Sequence, residues 1–278
     1  MVWKRKMRYG WTAALIASLL LVVGCGSTSG PASSEGISGT ATYAISGTVS
    51  SGGVGLQGMS VALAGPTPGS ATTDAGGNYQ FSDLPGGQYT ITPSIPGYGF
   101  TSADVTLNAD MTVNFDATPN TVRAWGYNNF GQLGNDQTAD SADPVQVGSL
   151  SRVIAVSGGV YHSLALLDDG TVRAWGQGTS GQLGSGAFEA NPVTSPVPVD
   201  TTKWAAGRRV TAIAAGGFHS LALLDDGTVW AWGLGGDGQL GNSANDDYPF
   251  PTAVDTTWGA GKKVVAVAAG VYHSLALL

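Results

Sequence analysis

Between residues 43 and 118 apolar and polar side chains alternate in short runs: YAISGTVS, MSVALAG, GNYQFSDL, GQYTITPS, ADVTLNA and MTVNFDAT. Each run is rich in Val, Ile, Thr, Tyr and Phe and is bounded by Gly, Pro, Asp or Asn. That is the period-two pattern of half-buried strands and their turns. It predicts a small β-sandwich of about seven strands. Ile45, Val49, Val61, Leu63, Tyr79, Phe81, Tyr89, Ile91, Val113 and Phe115 are expected inside it. Asp74-Ala75-Gly76-Gly77 reads as a hairpin turn, and Leu84-Pro85-Gly86-Gly87 as a second turn leading to the next strand.

From about Pro119 a longer period takes over. GGVYHSLALLDDGTVRAWGQGTSGQLG begins at Gly158, GGFHSLALLDDGTVWAWGLGGDGQLG at Gly216, and GVYHSLALL at Gly270. The three histidines, His162, His219 and His273, are 57 and 54 residues apart, and the GQLG motifs start at Gly131, Gly181 and Gly238. Within a unit, VIAV and SLALL are strands, Asp168-Asp169-Gly170-Thr171 is a hairpin turn with φ > 0 at Gly170, and VRAW returns. The proline-bearing stretch after GQLG fits an edge strand or loop. About four short strands per period make a propeller blade, so the fold class is all-β: a sandwich, then an incomplete propeller of about three blades. The last unit stops at HSLALL, inside a strand whose returning partner does not follow. We read a piece of a longer product, or else an open array that is unstable or associates with other copies.

Two resemblances rest on these residues. SGTV followed by TTDAGGNYQFSDLPGGQYTITPSIPGYGF is similar to the carboxypeptidase regulatory-like and collagen-adhesin B-type sandwiches, over residues 43–118. The recurring Ala-Trp-Gly, Gly-Gln-Leu-Gly and Gly-x-x-His-Ser-Leu-Ala-Leu resemble the regulator of chromosome condensation repeats, over residues 119–278. The second resemblance implies a β-propeller, typically of seven blades, and protein–protein recognition. The first implies a fold often grouped with carbohydrate-binding domains, in which Tyr79, Tyr89, Tyr98 and Phe100 are the candidate stacking faces. Some adhesin relatives carry a lysine-based isopeptide cross-link, which residues 43–118 exclude because they hold no lysine.

A residue that returns once per blade is placed by the repeat rather than by a reaction. His162, His219 and His273 are therefore expected as structural hydrogen-bonders, and Trp125, Trp175 and Trp232 as side chains packed between blades. No nucleophile–base pair, metal cluster or phosphate loop breaks the repeat symmetry, so we expect no enzyme and no cofactor. Function belongs where the repeats differ: residues 127–130, 177–180 and 234–237, and the longer excursions at 188–194 and 243–251. Trp204 and Trp258 are extra tryptophans outside the motif and are possible contact residues.

The first 24 residues read as an export signal, with Lys4, Arg5, Lys6 and Arg8 ahead of the apolar run WTAALIASLLLVV. Leu21-Val22-Val23-Gly24-Cys25 resembles a bacterial lipobox, which makes Cys25 the lipid attachment site. Cys25 is the one cysteine in the chain, so the exported protein has no internal disulfide. Residues 25–42 are rich in Gly, Ser, Thr and Ala and read as a flexible tether. Losing residues 1–24 leaves eight basic against nineteen acidic side chains, a net charge of −11 that repels phosphate backbones and argues against nucleic-acid binding. The expectation is a cell-envelope protein that meets the membrane through its lipid only. It acts as a scaffold for an unidentified protein partner, or alternatively binds a glycan through the sandwich.

Overall fold

A computed structural model describes residues 41–204, 207–257 and 261–278. The expected signal segment, Cys25, the tether up to residue 40 and Trp258 lie outside the described residues. Ala41 to Leu278 form one compact unit of strands and turns.

The alternating runs fold as two facing sheets. In one, the long strand Thr42–Ser51 pairs antiparallel with Asn78–Pro85 and Val54–Gly55, and parallel with Met111–Thr112 and Phe115–Asp116. In the other, Ser60–Ala64 lies between Gly69–Thr72 and Gly87–Ser94, and Ala103–Leu107 forms the far edge. The alternation does what it predicts: Val61 and Leu63 point inward while Ser60, Ala62 and Ala64 face out. Of the ten expected core residues, nine are buried in one cluster and Val113 is half-buried against it. The turn at residues 74–77 is not a hairpin. It carries the chain from Gly69–Thr72 in one sheet to Asn78–Pro85 in the other. The local chemistry is the expected one, with Asp74 Oδ1 accepting the N–H groups of Gly76 and Asn78 at 2.8 Å each. That chemistry fixes a reversal, but the pairing of the next strand is decided by the core it closes.

No linker separates the sandwich from the repeats. Tyr98–Gly99 pairs with Thr118–Pro119, and Asn120 donates its N–H to the Gly97 carbonyl.

Each complete blade is a four-stranded antiparallel meander, with strands a to d in order. The first runs through Val153–Gly158, His162–Leu167, Val172–Gly178 and Glu189–Pro198. The second runs through Val210–Ala215, His219–Leu224, Val229–Gly233 and Tyr248–Ala253. Before them stands an opening half-blade that holds only strands c and d, Arg123–Gly126 with Ser141–Gln146. After them stands a closing half-blade that holds only strands a and b, Ala266–Ala269 with Ser274–Leu277. Gly170 sits at φ +84° in the b–c hairpin, where Gly170 N–H bonds the Leu167 carbonyl. Glu189–Pro198 bonds a neighbour on one side only, which is why it tolerates Pro192, Pro196 and Pro198. The architecture is the expected one: all-β, a sandwich and then propeller blades that do not close into a ring.

Candidate functional site

The repeated polar residues form a relay from blade to blade. His162 Nε2 lies 2.9 Å from Ser220 Oγ, Ser220 Oγ donates to the Gln182 carbonyl at 2.9 Å, and Trp232 Nε1 donates to that same carbonyl at 2.9 Å. The motif recurs one blade on: His219 Nε2 is 2.9 Å from Ser274 Oγ, which donates to the Gln239 carbonyl at 2.7 Å. Because the serine's single proton goes to the carbonyl, the serine oxygen accepts from His Nε2–H. Each histidine is thereby assigned as the neutral Nε2–H tautomer. Nδ1 of His162 and of His219 is buried with no partner. A second proton would have to sit there, so burial, together with the neighbouring histidine, lowers His162 to about 3 and His219 to about 4. His162 and His219 thus join neighbouring blades and share no ligand. His273, in the closing half-blade, is exposed.

The tryptophans divide. Trp175 and Trp232 are buried between blades, and Gly134 and Gly184 make room for their indoles: a Cβ on either glycine would lie 2.7 Å from the ring nitrogen. Trp125 occupies the same motif position but is 63% exposed, against the expectation that it packs between blades. Its counterparts are covered by the GQLG turn of the preceding blade, Trp175 by Gln132 and Trp232 by Gln182, and among the described residues no such turn lies against Trp125. Trp204, a possible contact residue in the sequence, is packed instead. It is buried with Val199 and Val210 beside Trp230, whose ring is 6.5 Å away. In the sandwich, Tyr79 and Tyr89 are core residues and offer no stacking face. Tyr98 and Phe100 are half-buried and line a shallow cavity with Pro93 and Pro96.

What sequence reasoning missed is a ladder of five aromatic rings across the loop face of the blades. Tyr127 and Phe130 come from the opening half-blade, and Tyr161, Phe218 and Tyr272 each precede a repeat histidine. Ring centroids are 6.2 Å apart for Tyr127–Tyr161, 4.6 Å for Phe130–Tyr161, 5.9 Å for Tyr161–Phe218 and 6.1 Å for Phe218–Tyr272. The ladder is walled by the variable loops: Gln177 N–H bonds the Tyr161 carbonyl and Leu234 N–H bonds the Phe218 carbonyl. Asn129 donates to the Tyr127 hydroxyl at 3.0 Å. Tyr127 and Tyr272, at the two ends, are about half exposed. The Tyr/Phe before each histidine was visible in the sequence, but only stacked blades bring these rings together. Rigid, amphipathic aromatic area is the composition of a recognition surface.

The family model for the regulator of chromosome condensation (RCC1) repeat matches residues 121–166, 169–223 and 226–277. The chain belongs to the RCC1 repeat family. The carboxypeptidase regulatory-like domain model matches residues 44–119, ahead of the RCC1 repeats. Among curated relatives, the ultraviolet-B receptor UVR8 of Arabidopsis thaliana is 32% identical over 181 residues, covering 64% of this chain and 40% of that protein. The human E3 ubiquitin-protein ligase HERC2 is 32% identical over 158 residues, covering 56% of this chain and 3% of that protein. This RCC1 repeat chain therefore spans less than half the length of these relatives. Among solved structures, human WBSCR16 superposes with a TM-score of 0.50 at 19% identity, covering 79% of this chain and 72% of that one. Prp20p of Saccharomyces cerevisiae, a protein that binds Gsp1p and histones, superposes with a TM-score of 0.50 at 20% identity, covering 77% and 54%. At those identities the likeness is one of fold.

Proposed function

We propose that this protein is an exported scaffold, anchored to the bacterial cell envelope by a lipid on Cys25, that binds a protein partner on the loop face of its RCC1 repeats and catalyses no reaction. The observation that carries the reading is the five-ring ladder flanked by loops that differ between repeats. Regular stacking supplies a rigid platform, and the variable loops supply specificity. Protein partners of other RCC1 repeat proteins, such as those of Prp20p, support the class of ligand. The basic segment, apolar run and Gly24-Cys25 junction support export and lipidation, and the acidic balance disfavours nucleic acid.

The test is affinity capture from the native envelope with the wild-type chain and with a Tyr127→Ala/Tyr272→Ala variant. Both side chains are exposed, so the variant keeps its fold. A protein held by the wild type and lost from the variant is the expected result. Identical capture by both, or no capture by either, defeats the reading. Labelled fatty acid should be incorporated by the wild type and not by Cys25→Ser. The glycan reading now rests on Tyr98 and Phe100 alone, and a glycan array on the full chain with and without Tyr98→Ala decides it.

A further inference from the structure

We propose that the segment of the partner seated on the ladder is cationic: an extended stretch with arginine or lysine at alternate positions, each cation against a ring and held by the carboxylates of the variable loops. The inference rests on the partner-binding reading above and specifies its ligand.

The charge of the blades is divided between their two ends. Residues 127–143, 158–161, 177–189, 216–218 and 234–247 make up the loop face, and they hold seven carboxylates and no lysine, arginine or histidine. The rest of the blade region holds eight lysines and arginines against six carboxylates. These gather at the opposite end, around the b–c hairpins, the d–a connections and the starts of strands a and c. The balance there is 8 − 6 = +2, against −7 on the loop face. Basic groups at the hairpin end are matched locally: Arg152 lies 2.6 Å from Asp168, and Arg208 lies 3.1 Å from Asp226 and 3.6 Å from Asp225. Among the described residues no such ion pair reaches a loop-face carboxylate. The uncompensated field of the blades therefore leaves through the loop face, and a cation is drawn there.

The carboxylates border the rings. Asp140 Oδ1 accepts the N–H of Asn128, the residue after Tyr127, at 2.8 Å. Glu189 packs on Gly178, next to the Gln177 N–H that bonds the Tyr161 carbonyl. Asp247 Oδ1 accepts the Gly235 N–H at 2.9 Å, next to the Leu234 N–H that bonds the Phe218 carbonyl. Asp237 and Asp246 stand exposed on that same loop. Phe130, Tyr161 and Phe218 are half-buried, so each keeps part of its ring open. A cation engages an aromatic face within about 6 Å of the ring centroid. Side chains on one side of an extended chain recur every ~6.5 Å. Ring centroids are 6.2 Å apart for Tyr127–Tyr161 and 5.9 Å for Tyr161–Phe218. One cation per ring is thus in step with an extended backbone, whereas an acidic segment would be repelled by the same loops.

The test follows, by fluorescence anisotropy, the binding of a labelled octapeptide of alternating glycine and arginine to the full chain in mild detergent. The wild type should bind it and should not bind the glycine–glutamate counterpart. Combining Asp140→Asn, Glu189→Gln, Asp237→Asn and Asp246→Asn should weaken binding by about tenfold or more. These replacements keep the oxygens that accept the Asn128 N–H and the Ser185 hydroxyl. Combining Asp83→Asn, Asp104→Asn, Asp110→Asn and Asp116→Asn removes the same charge from the sandwich and should change binding by less than about twofold. Tyr161→Leu, with every charge intact, should weaken it by about threefold or more. Raising salt from about 0.05 M to about 0.5 M should weaken wild-type binding by about tenfold, a readout that needs no variant. No binding by the wild type, equal losses in the two charge variants, no effect of salt, or indifference to Tyr161→Leu overturns the proposal. So does self-association that the peptide displaces, because the occupant is then the hairpin end of a second copy. A protein captured through Tyr127 and Tyr272 yet still held by the loop-face charge variant overturns the cationic ligand and leaves the partner-binding reading standing. Peptide binding with no protein captured does the reverse.

Discussion

A single side chain in this protein takes its character from the blade next to it. His162 and His219 are neutral because their one spare nitrogen is buried and unpartnered. The sign of the resulting pH effect follows. Above about pH 6.5 neither the folded nor the unfolded chain protonates them. As the pH falls below that value the unfolded chain takes up protons that the folded chain refuses, down to about 4 for His219 and about 3 for His162. Stability should therefore be full above about pH 6.5 and fall steadily toward about pH 4.5, before the carboxylates begin to titrate. Thermal melts across that window check it, and a flat melting temperature would show that the buried histidines charge freely. The tryptophans give a sharper contrast. Trp232→Ala should cost about 3–5 kcal/mol in denaturant unfolding, because Trp232 is fully buried. Trp125→Ala should cost the isolated chain within about 0.5 kcal/mol, although both residues stand in the same Val-x-Ala-Trp-Gly motif.

Among the elements, the b–c hairpin is the most locally determined. Asp226 Oδ1 accepts Thr228 N–H at 2.9 Å and Thr228 Oγ1 at 2.7 Å, and Asp169 repeats this with Thr171. Gly227 then takes φ +88°. Asp226→Ala should lower stability by about 1 kcal/mol while leaving the register of His219–Leu224 against Val229–Gly233 intact. A calorimetric melt and the amide exchange pattern of the hairpin together test this. Turn residues at 74–77 look alike in sequence, yet they hand the chain between sheets. The difference lies in the strand that each turn leads to: Asn78–Pro85 pairs with Thr42–Ser51 in the other sheet, whereas Val229–Gly233 pairs with the strand it just left.

At the scale of the molecule, stability should be graded along the array. The second complete blade is covered on both sides, and every residue of His219–Leu224 is buried. Ser274–Leu277 is exposed throughout and pairs on one side only. Hydrogen exchange should therefore be slowest in His219–Leu224 and fast in Ser274–Leu277 at low protein concentration. Equal protection of the two strands under those conditions would mean that the closing edge is already covered.

The sequence by itself determined the strands, their turns, the repeat period and the residues each blade would use, because period-two alternation and turn chemistry are local properties of the chain. Nine of the ten core positions in the sandwich were legible for that reason. The family, too, was legible in the order of its motifs. Only the tertiary structure decided which copy of a motif is buried, since Trp125, Trp175 and Trp232 are written alike and differ only in the neighbour that covers them. It also decided that Trp204 belongs to the core and that residues 74–77 cross between sheets. The aromatic ladder exists because stacked blades bring residues some fifty positions apart to ring-contact distance. Burial and contact depend on what lies across space, and no local pattern encodes that.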